Sequence, residues 1–188
     1  MDAEKVNKVR LHVLRTAMNG QGVPSAAQTA TALGISEEEA VEGYHRLAEG
    51  HIYVLDPGDP TRLRMANPFS AVPTAHEVQA RGKTYYGNCI WDACGIVSLM
   101  GGTGEVHTRC PDCGDPMTLA MADRKLVHKE GIVHFSVPSA VVGRHHLHVK
   151  HDASLPVGRA CREEREARRS IHEHRPDMGS GRHLVPRS

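Results

Sequence analysis

One apolar segment in the middle of the chain constrains the fold most. Residues 90–100 (IWDACGIVSLM) contain a single charged side chain, Asp92, and lie between Cys89 and the glycine-rich residues 101–104 (GGTG). A segment of this length and composition predicts a helix buried against other elements. Strand-like segments follow at residues 105–108, 117–121, 125–128 and 132–137. The second half of the chain therefore predicts a mixed α/β domain with an antiparallel sheet.

The first half has a different pattern. Apolar residues at helical spacing predict a helix over residues 1–18, and Ser25 caps a second helix over 26–33. Ser36 followed by Glu39 is a capping box that opens a third helix, which runs to Leu47. Two short apolar segments, 51–55 and 62–66, then predict a β-hairpin with a long turn at 56–60. Three helices followed by a hairpin predict a winged-helix-like domain.

These patterns divide the chain into three parts, and the fold class is α+β. Residues 1–70 form the winged-helix-like three-helix domain, and residues 76–158 form the second domain. Residues 159–188 are a helix with charges of both signs, followed by a terminal sequence, LVPR, that resembles a protease-cleavage linker. That terminal sequence is not expected to contribute to function.

Charge and composition exclude several functions. The formal net charge is +1 and aromatic residues make up 4% of the chain, so neither a basic surface nor a set of stacking rings for nucleic acid is expected. The third predicted helix is also rich in glutamate, which is unfavourable beside phosphates. No apolar segment approaches the roughly 20 residues of a membrane span, and the N-terminus lacks the pattern of a signal peptide. We expect a soluble, cytoplasmic protein without a nucleic-acid or membrane partner.

Cys89 and Asp92 form the first candidate catalytic pair. Their spacing places both side chains on one face at the start of the predicted helix. The partial positive charge of a helix N-terminus favours the thiolate form, so we expect a lowered pKa for Cys89 and fast alkylation. An adjacent carboxyl group can hold or deliver a proton. The alternative is a buried cysteine beside a capping aspartate.

Two other clusters carry metal-ligand chemistry. Cys110 and Cys113 form a C-x-x-C pair on a turn, which indicates either a metal clip, with His107 as a further ligand, or two inert thiols. Residues 145–151 (HHLHVKH) are the densest group of imidazoles, and His146 and His148 share one face of an extended strand. The alternative for this segment is a partly exposed edge strand.

The ordered set of motifs resembles the alkylmercury (organomercurial) lyase family. It comprises a Cys-x-x-Asp sequence at 89–92, a second Cys 21 residues later at 110, Gly-x-Pro at 114–116, and an apolar segment ending in proline at 138. The resemblance covers roughly residues 5–155. It implies that Cys89 is the thiolate that attacks mercury, that Asp92 carries the proton to the leaving carbon, and that Cys110 is structural.

The chain departs from the family pattern at one position. The family has a second catalytic cysteine after the proline-ended strand, and the resemblance places His146 there. No cysteine lies between Cys113 and Cys161. Cys94, Cys113 or Cys161 would substitute only if the fold brought one of them close to Cys89. An imidazole in place of a thiolate suits Zn²⁺ or Cu²⁺ better than Hg²⁺.

The resemblance implies a lyase that cleaves carbon–mercury bonds by thiolate attack and protonolysis, using Cys89, Asp92 and His146 and needing no cofactor. The alternatives are a metal-binding protein without lyase activity, in which Cys89, Asp92, His146, Cys110 and Cys113 hold Hg, Cu or Zn, and a winged-helix metal-responsive regulator. The expected partner is a small organometal or a metal ion. The sequence leaves the oligomeric state open.

Overall fold

The computed structural model describes residues 1–110 and 114–127. Within them the chain forms four helices: α1 (Ala3–Met18), α2 (Ala26–Leu33), α3 (Glu37–Glu49) and α4 (Ile90–Leu99). The same residues form eight strands: β1 (Tyr53–Asp56), β2 (Asp59–Ala66), β3 (Phe69–Ser70), β4 (His76–Ala80), β5 (Lys83–Gly87), β6 (Gly104–Arg109), β7 (Pro116–Ala122) and β8 (Lys125–Leu126).

The described strands form one antiparallel sheet in the order β1-β2-β3-β5-β4-β6-β7-β8. The predicted α+β class with an antiparallel sheet is therefore confirmed. None of the helices in the described part of the chain has the length and hydropathy that crossing a membrane requires. The predicted strand at residues 132–137 lies outside the described residues.

The helices of the first half begin where their capping residues predict. Ser25 and Ser36 each form a capping box, with Gln28 and Glu39 respectively, which satisfies backbone N–H groups at the start of α2 and α3. The core between α1, α2 and α3 includes Tyr44, whose hydroxyl lies 2.7 Å from Thr29 Oγ1 and donates to the Pro24 carbonyl at 3.0 Å. The winged-helix interpretation of this order remains a prediction.

The hairpin β1–β2 differs from its prediction. Asp56 pairs with Asp59, so the turn contains only Pro57 and Gly58 and is not the long one expected. The Asp56 carboxylate accepts a hydrogen bond from the Gly58 N–H at 2.9 Å, which closes the turn locally. Pro60 lies in the part of β2 that does not pair with β3. Proline has no N–H group to donate, but because β3 does not pair with this position, no hydrogen bond to β3 is lost.

Two clusters of buried apolar residues fill the interior. One joins α1, α2 and α3 with β1 and β2, and the other packs α4 against β4, β5, β6 and β7. Val23 packs against both clusters, and the Tyr85 hydroxyl donates to the carbonyl of Met18 at the end of α1 at 2.9 Å. The sheet itself continues through both halves. The boundaries at 1–70, 76–158 and 159–188 stay a prediction.

Candidate active site

The candidate site begins at the N-terminus of α4, where Cys89 is the capping residue. The Cys89 backbone is extended, and its Sγ accepts a hydrogen bond from the Asp92 N–H with an N–S distance of 3.4 Å. The N–H of Trp91 also approaches the sulfur. The thiol of Cys89 therefore occupies the place where serine or aspartate usually caps a helix. Asn88 Nδ2 donates to the Pro68 carbonyl at 3.4 Å and ties this turn to the segment before β3.

Asp92 lies beside the Cys89 thiol, as the spacing predicts. Its residue surface is only 8% exposed, so the carboxyl group is held out of bulk water. The Asp92 carboxyl group is near enough to the Cys89 thiol to contribute to the rise of the pKa of that thiol. The structure thus brings the two residues together at the first turn of α4, while the catalytic roles assigned to them stay predictions.

The expected lowering of the Cys89 pKa is wrong. Burial, which disfavours the charged thiolate, and then the neighbouring Asp92 carboxylate raise the pKa of Cys89 to about 11. Hydrogen bonds from the backbone N–H groups of Asp92 and Trp91 lower the pKa of Cys89, but burial and the carboxylate charge have the larger effect. At pH 7 only about one thiol in ten thousand would be ionised. The resting site is a protonated thiol paired with a carboxyl group.

A measurable consequence is the pH dependence of alkylation. We expect Cys89 to react slowly with iodoacetamide at pH 7 and to speed up as the pH rises toward about 11, because only the thiolate reacts. Mass spectrometry of timed digests would measure this rate, with Cys94 as internal comparison, since burial also raises its pKa. A rate for Cys89 that levels off below pH 8 would contradict the raised pKa.

The sheet beneath the first turn of α4 approaches it closely at Gly87. A Cβ added at Gly87 would lie 2.6 Å from the Ala93 nitrogen, so only glycine permits this contact between β5 and the helix. His76 pairs with Gly87 in the ladder and lies on the same face of β4 as Val78, which packs against α4. The end of the sheet that carries His76 is therefore the end at which α4 begins.

His76 is a residue of this region that the sequence analysis did not single out. It is half-buried, its Nδ1 lies 3.0 Å from Thr108 Oγ1, and burial lowers its pKa. The lowered pKa favours the neutral imidazole. A single histidine in an unremarkable strand gives no periodic or spacing signal, and only the pairing of β4 with β5 and β6 brings it to this end of the sheet.

The second cluster of candidate ligands is only partly described. Cys110 is 1% exposed, and its N–H donates to the Asp115 carbonyl at 2.8 Å immediately after β6. Cys113 lies outside the described residues, so the metal clip stays a prediction. His107 lies on the opposite face of β6 from Val106, with its Nδ1 3.3 Å from Thr118 Oγ1 and its Nε2 3.4 Å from the Glu105 carboxylate.

The remaining candidate residues do not complete a metal site in the described structure. His146 and Cys161 lie outside the described residues. Cys94 is a free thiol on α4 that packs against the core of the second half. Across residues 1–110 and 114–127, the structure contains no group of three or more His, Cys, Asp or Glu side chains that could hold a metal ion.

Comparison with known proteins supports the resemblance drawn from the sequence. The family model described as alkylmercury lyase matches residues 69–148, a range that contains Cys89, Asp92, Cys110 and the position of His146. Over these residues the chain is similar to the alkylmercury lyase family. The resemblance drawn from the ordered motifs is thereby confirmed. The chain departs from the pattern that this resemblance implies, because it has no cysteine between positions 113 and 161.

The fold agrees with a solved structure. The crystal structure of the mercury-bound form of MerB2 is similar to this chain, with a TM-score of 0.57 and 17% sequence identity, and the similarity covers 96% of this chain and 84% of that chain. At this identity, the likeness shows a shared fold. None of the curated proteins compared with the chain matches it.

Proposed function

We propose that this protein cleaves the carbon–mercury bond of organomercurials, releasing a hydrocarbon and retaining Hg²⁺. The observation that carries the proposal is the position of the Cys89 thiol at the first turn of α4, where it accepts a hydrogen bond from the Asp92 N–H and lies beside the buried Asp92 carboxyl group. Mercury is a soft cation that prefers sulfur ligands, and protonolysis needs a proton source beside the metal-bound carbon. The mercury-bound form of the structural neighbour MerB2 agrees with this substrate class.

The first step exchanges the thiol proton for the metal. The Cys89 sulfur bonds to mercury of the R–Hg⁺ substrate, and its proton moves to the Asp92 carboxylate. Formation of the strong sulfur–metal bond drives this deprotonation even though the thiol pKa is raised, because metal binding and proton release are coupled. Because Asp92 is buried, bulk water competes little for the proton that its carboxylate takes up.

The second step breaks the carbon–mercury bond. The electron pair of that bond passes to carbon as the Asp92 carboxylic acid donates its proton, so that R–H leaves. Hg²⁺ remains on the Cys89 sulfur, with the regenerated Asp92 carboxylate beside it. The proton of the hydrocarbon is the one that the thiol held at the start, so this single turnover balances without a cofactor. A free thiol in solution must take Hg²⁺ and return a proton to the Cys89 sulfur before the next turnover. His146 completes the proposed set of metal ligands in place of the family's second cysteine.

The test is hydrocarbon release by the purified full chain. We expect the wild type to release methane from methylmercury and benzene from phenylmercury, measured by gas chromatography, and Cys89→Ser to release neither, because a hydroxyl is a poor ligand for mercury. Cys94→Ala is the matched control, since it removes a partly buried thiol from the same helix and should keep most of the activity. Equal loss in both variants, or release by Cys89→Ser, would refute the assignment.

The second candidate is a metal-binding protein without bond cleavage. The lack of a cysteine between Cys113 and Cys161 favours it, because the dithiol arrangement that the resemblance implies is incomplete. The same assay separates the two functions. A binder retains mercury through Cys89, as measured by metal analysis after dialysis, but releases no hydrocarbon.

The regulator with a winged-helix DNA-binding half ranks third, because α3 carries five glutamates and one arginine.

A further inference from the structure

Trp91 stands between the two residues of the candidate pair. It is the chain's single tryptophan. Its surface is 67% exposed, more than that of any other large hydrophobic residue in the described part of the chain. The other exposed ones are Val127 at 63%, Leu99 at 44%, Leu126 at 40% and Leu11 at 38%. An indole ring offers a large apolar surface, which a globular protein usually buries at least in part.

The backbone of Trp91 lies next to the Cys89 sulfur. The N–H of Trp91 approaches Cys89 Sγ, as does the N–H of Asp92 at 3.4 Å. The sulfur is therefore held against the first turn of α4 by the residue that also carries the indole. Asp92 is buried on the side that faces the sheet, whereas the Trp91 side chain is on the exposed side of the same turn.

The organic group of a bound organomercurial lies close to the Cys89 sulfur. A metal–sulfur bond is about 2.3 Å and a bond from the metal to a light atom about 2.0–2.2 Å, so the carbon lies within about 4–5 Å of Sγ. Two-coordinate mercury is linear, and the organic group therefore points away from the sulfur and its two N–H contacts. The Trp91 N–H approaches the same sulfur, so the residue that carries the indole lies next to the place where the organic group is held.

We propose that Trp91 is a specificity-determining residue, whose indole packs against the organic group of the substrate and favours aromatic and bulky apolar organomercurials over methylmercury. The inference rests on the proposed function, since it concerns the substrate of that same site. Its physical basis is that a ring-to-ring contact adds stabilisation beyond the burial of area, whereas a methyl group offers little surface. Trp91 acts on neither proton nor metal, so its loss changes preference and leaves the bond-breaking step in place.

The experiment compares two substrates in three variants of the full chain. With a small free thiol present to take Hg²⁺ from Cys89 between turnovers, the wild type should show a higher kcat/KM for phenylmercury than for methylmercury. Trp91→Ala should lower that ratio about three- to tenfold, the range expected for loss of one aromatic contact. Trp91→Phe should restore most of the ratio. Leu99→Ala is the matched control, because it removes an exposed apolar side chain from the far end of α4 and should leave the ratio unchanged.

A binding measurement keeps this inference separable from the lyase activity. Equilibrium dialysis against a small competing thiol gives the retention of phenylmercury relative to methylmercury without any turnover. If the wild type releases no hydrocarbon but Trp91→Ala still loses the retention preference, the proposed lyase function fails and the role of Trp91 stands. An unchanged preference in Trp91→Ala, an absent preference in the wild type, or an equal loss in Leu99→Ala overturns the role of Trp91.

Discussion

Replacing Asp92 by asparagine will lower hydrocarbon release by about 10²–10⁴-fold, the range for removal of a general acid. The amide has nearly the shape of the carboxyl group, so the buried site keeps its packing, but it cannot take up the thiol proton and pass it to carbon. The variant should still capture the organomercurial on Cys89. Gas chromatography of the released hydrocarbon, with metal analysis of the retained mercury, separates these two effects.

The same variant should make Cys89 more reactive toward alkylation. Burial raises the pKa of Cys89 most and the negative charge of the Asp92 carboxylate raises it further, so removal of that charge lowers the pKa and increases the thiolate fraction at a fixed pH. Each unit by which the pKa of Cys89 falls gives about tenfold more thiolate. A more acidic thiol is also a weaker nucleophile, so the alkylation rate rises by only about threefold per pKa unit.

Asp123→Asn is the isosteric control for both measurements. Asp123 lies in the exposed turn between β7 and β8, with a positive φ of 50° that asparagine tolerates equally well. This variant should change neither hydrocarbon release nor the alkylation rate of Cys89. Slower alkylation in Asp92→Asn, or hydrocarbon release within threefold of the wild type, would contradict the thiol–carboxyl pair as the reacting unit.

Replacing Gly87 by alanine will destabilise the protein by about 1–3 kcal/mol, as overpacking of a tight core does. The new Cβ would meet Ala93 at 2.6 Å from its nitrogen and 2.9 Å from its Cα, and these backbone atoms move only if the start of α4 moves. Displacement of Cys89 and Asp92 with that turn should also reduce hydrocarbon release, because misplacement by about 1 Å costs of order 10²-fold in rate. Urea denaturation and the hydrocarbon assay measure the two effects.

Gly95→Ala is the matched control, because the same glycine-to-alanine substitution is expected to have the opposite effect on stability at this position. Gly95 lies inside α4, and a Cβ there would meet only Pro68 at 3.9 Å, an ordinary contact. Alanine is better than glycine in a helix interior by up to about 1 kcal/mol, so this variant should be as stable as the wild type or more so. If Gly87→Ala proved as stable as Gly95→Ala, the close approach of β5 to α4 would be wrong.

Local features of the fold were predictable from sequence because their causes are local. Ser25 and Ser36 cap helices through hydrogen bonds to N–H groups three residues on, and the apolar segment after Cys89 forms a helix whose inner side is buried. The Cys-x-x-Asp spacing likewise places Cys89 and Asp92 at the same helical turn. In each case the interacting groups lie within four residues of one another, so spacing alone determines that they meet.

Tertiary structure decided the features that depend on distant residues. The pKa of Cys89 was expected to fall because a helix N-terminus is a local effect, but it rises because surrounding elements bury the thiol. His76 comes to the end of the sheet where α4 begins only because β4 pairs with β5 and β6, and Gly87 is required only because Ala93 lies against it. Desolvation and close packing depend on all the neighbouring atoms, which come from several helices and strands. The spacing of residues along the sequence does not specify which of these distant residues become neighbours.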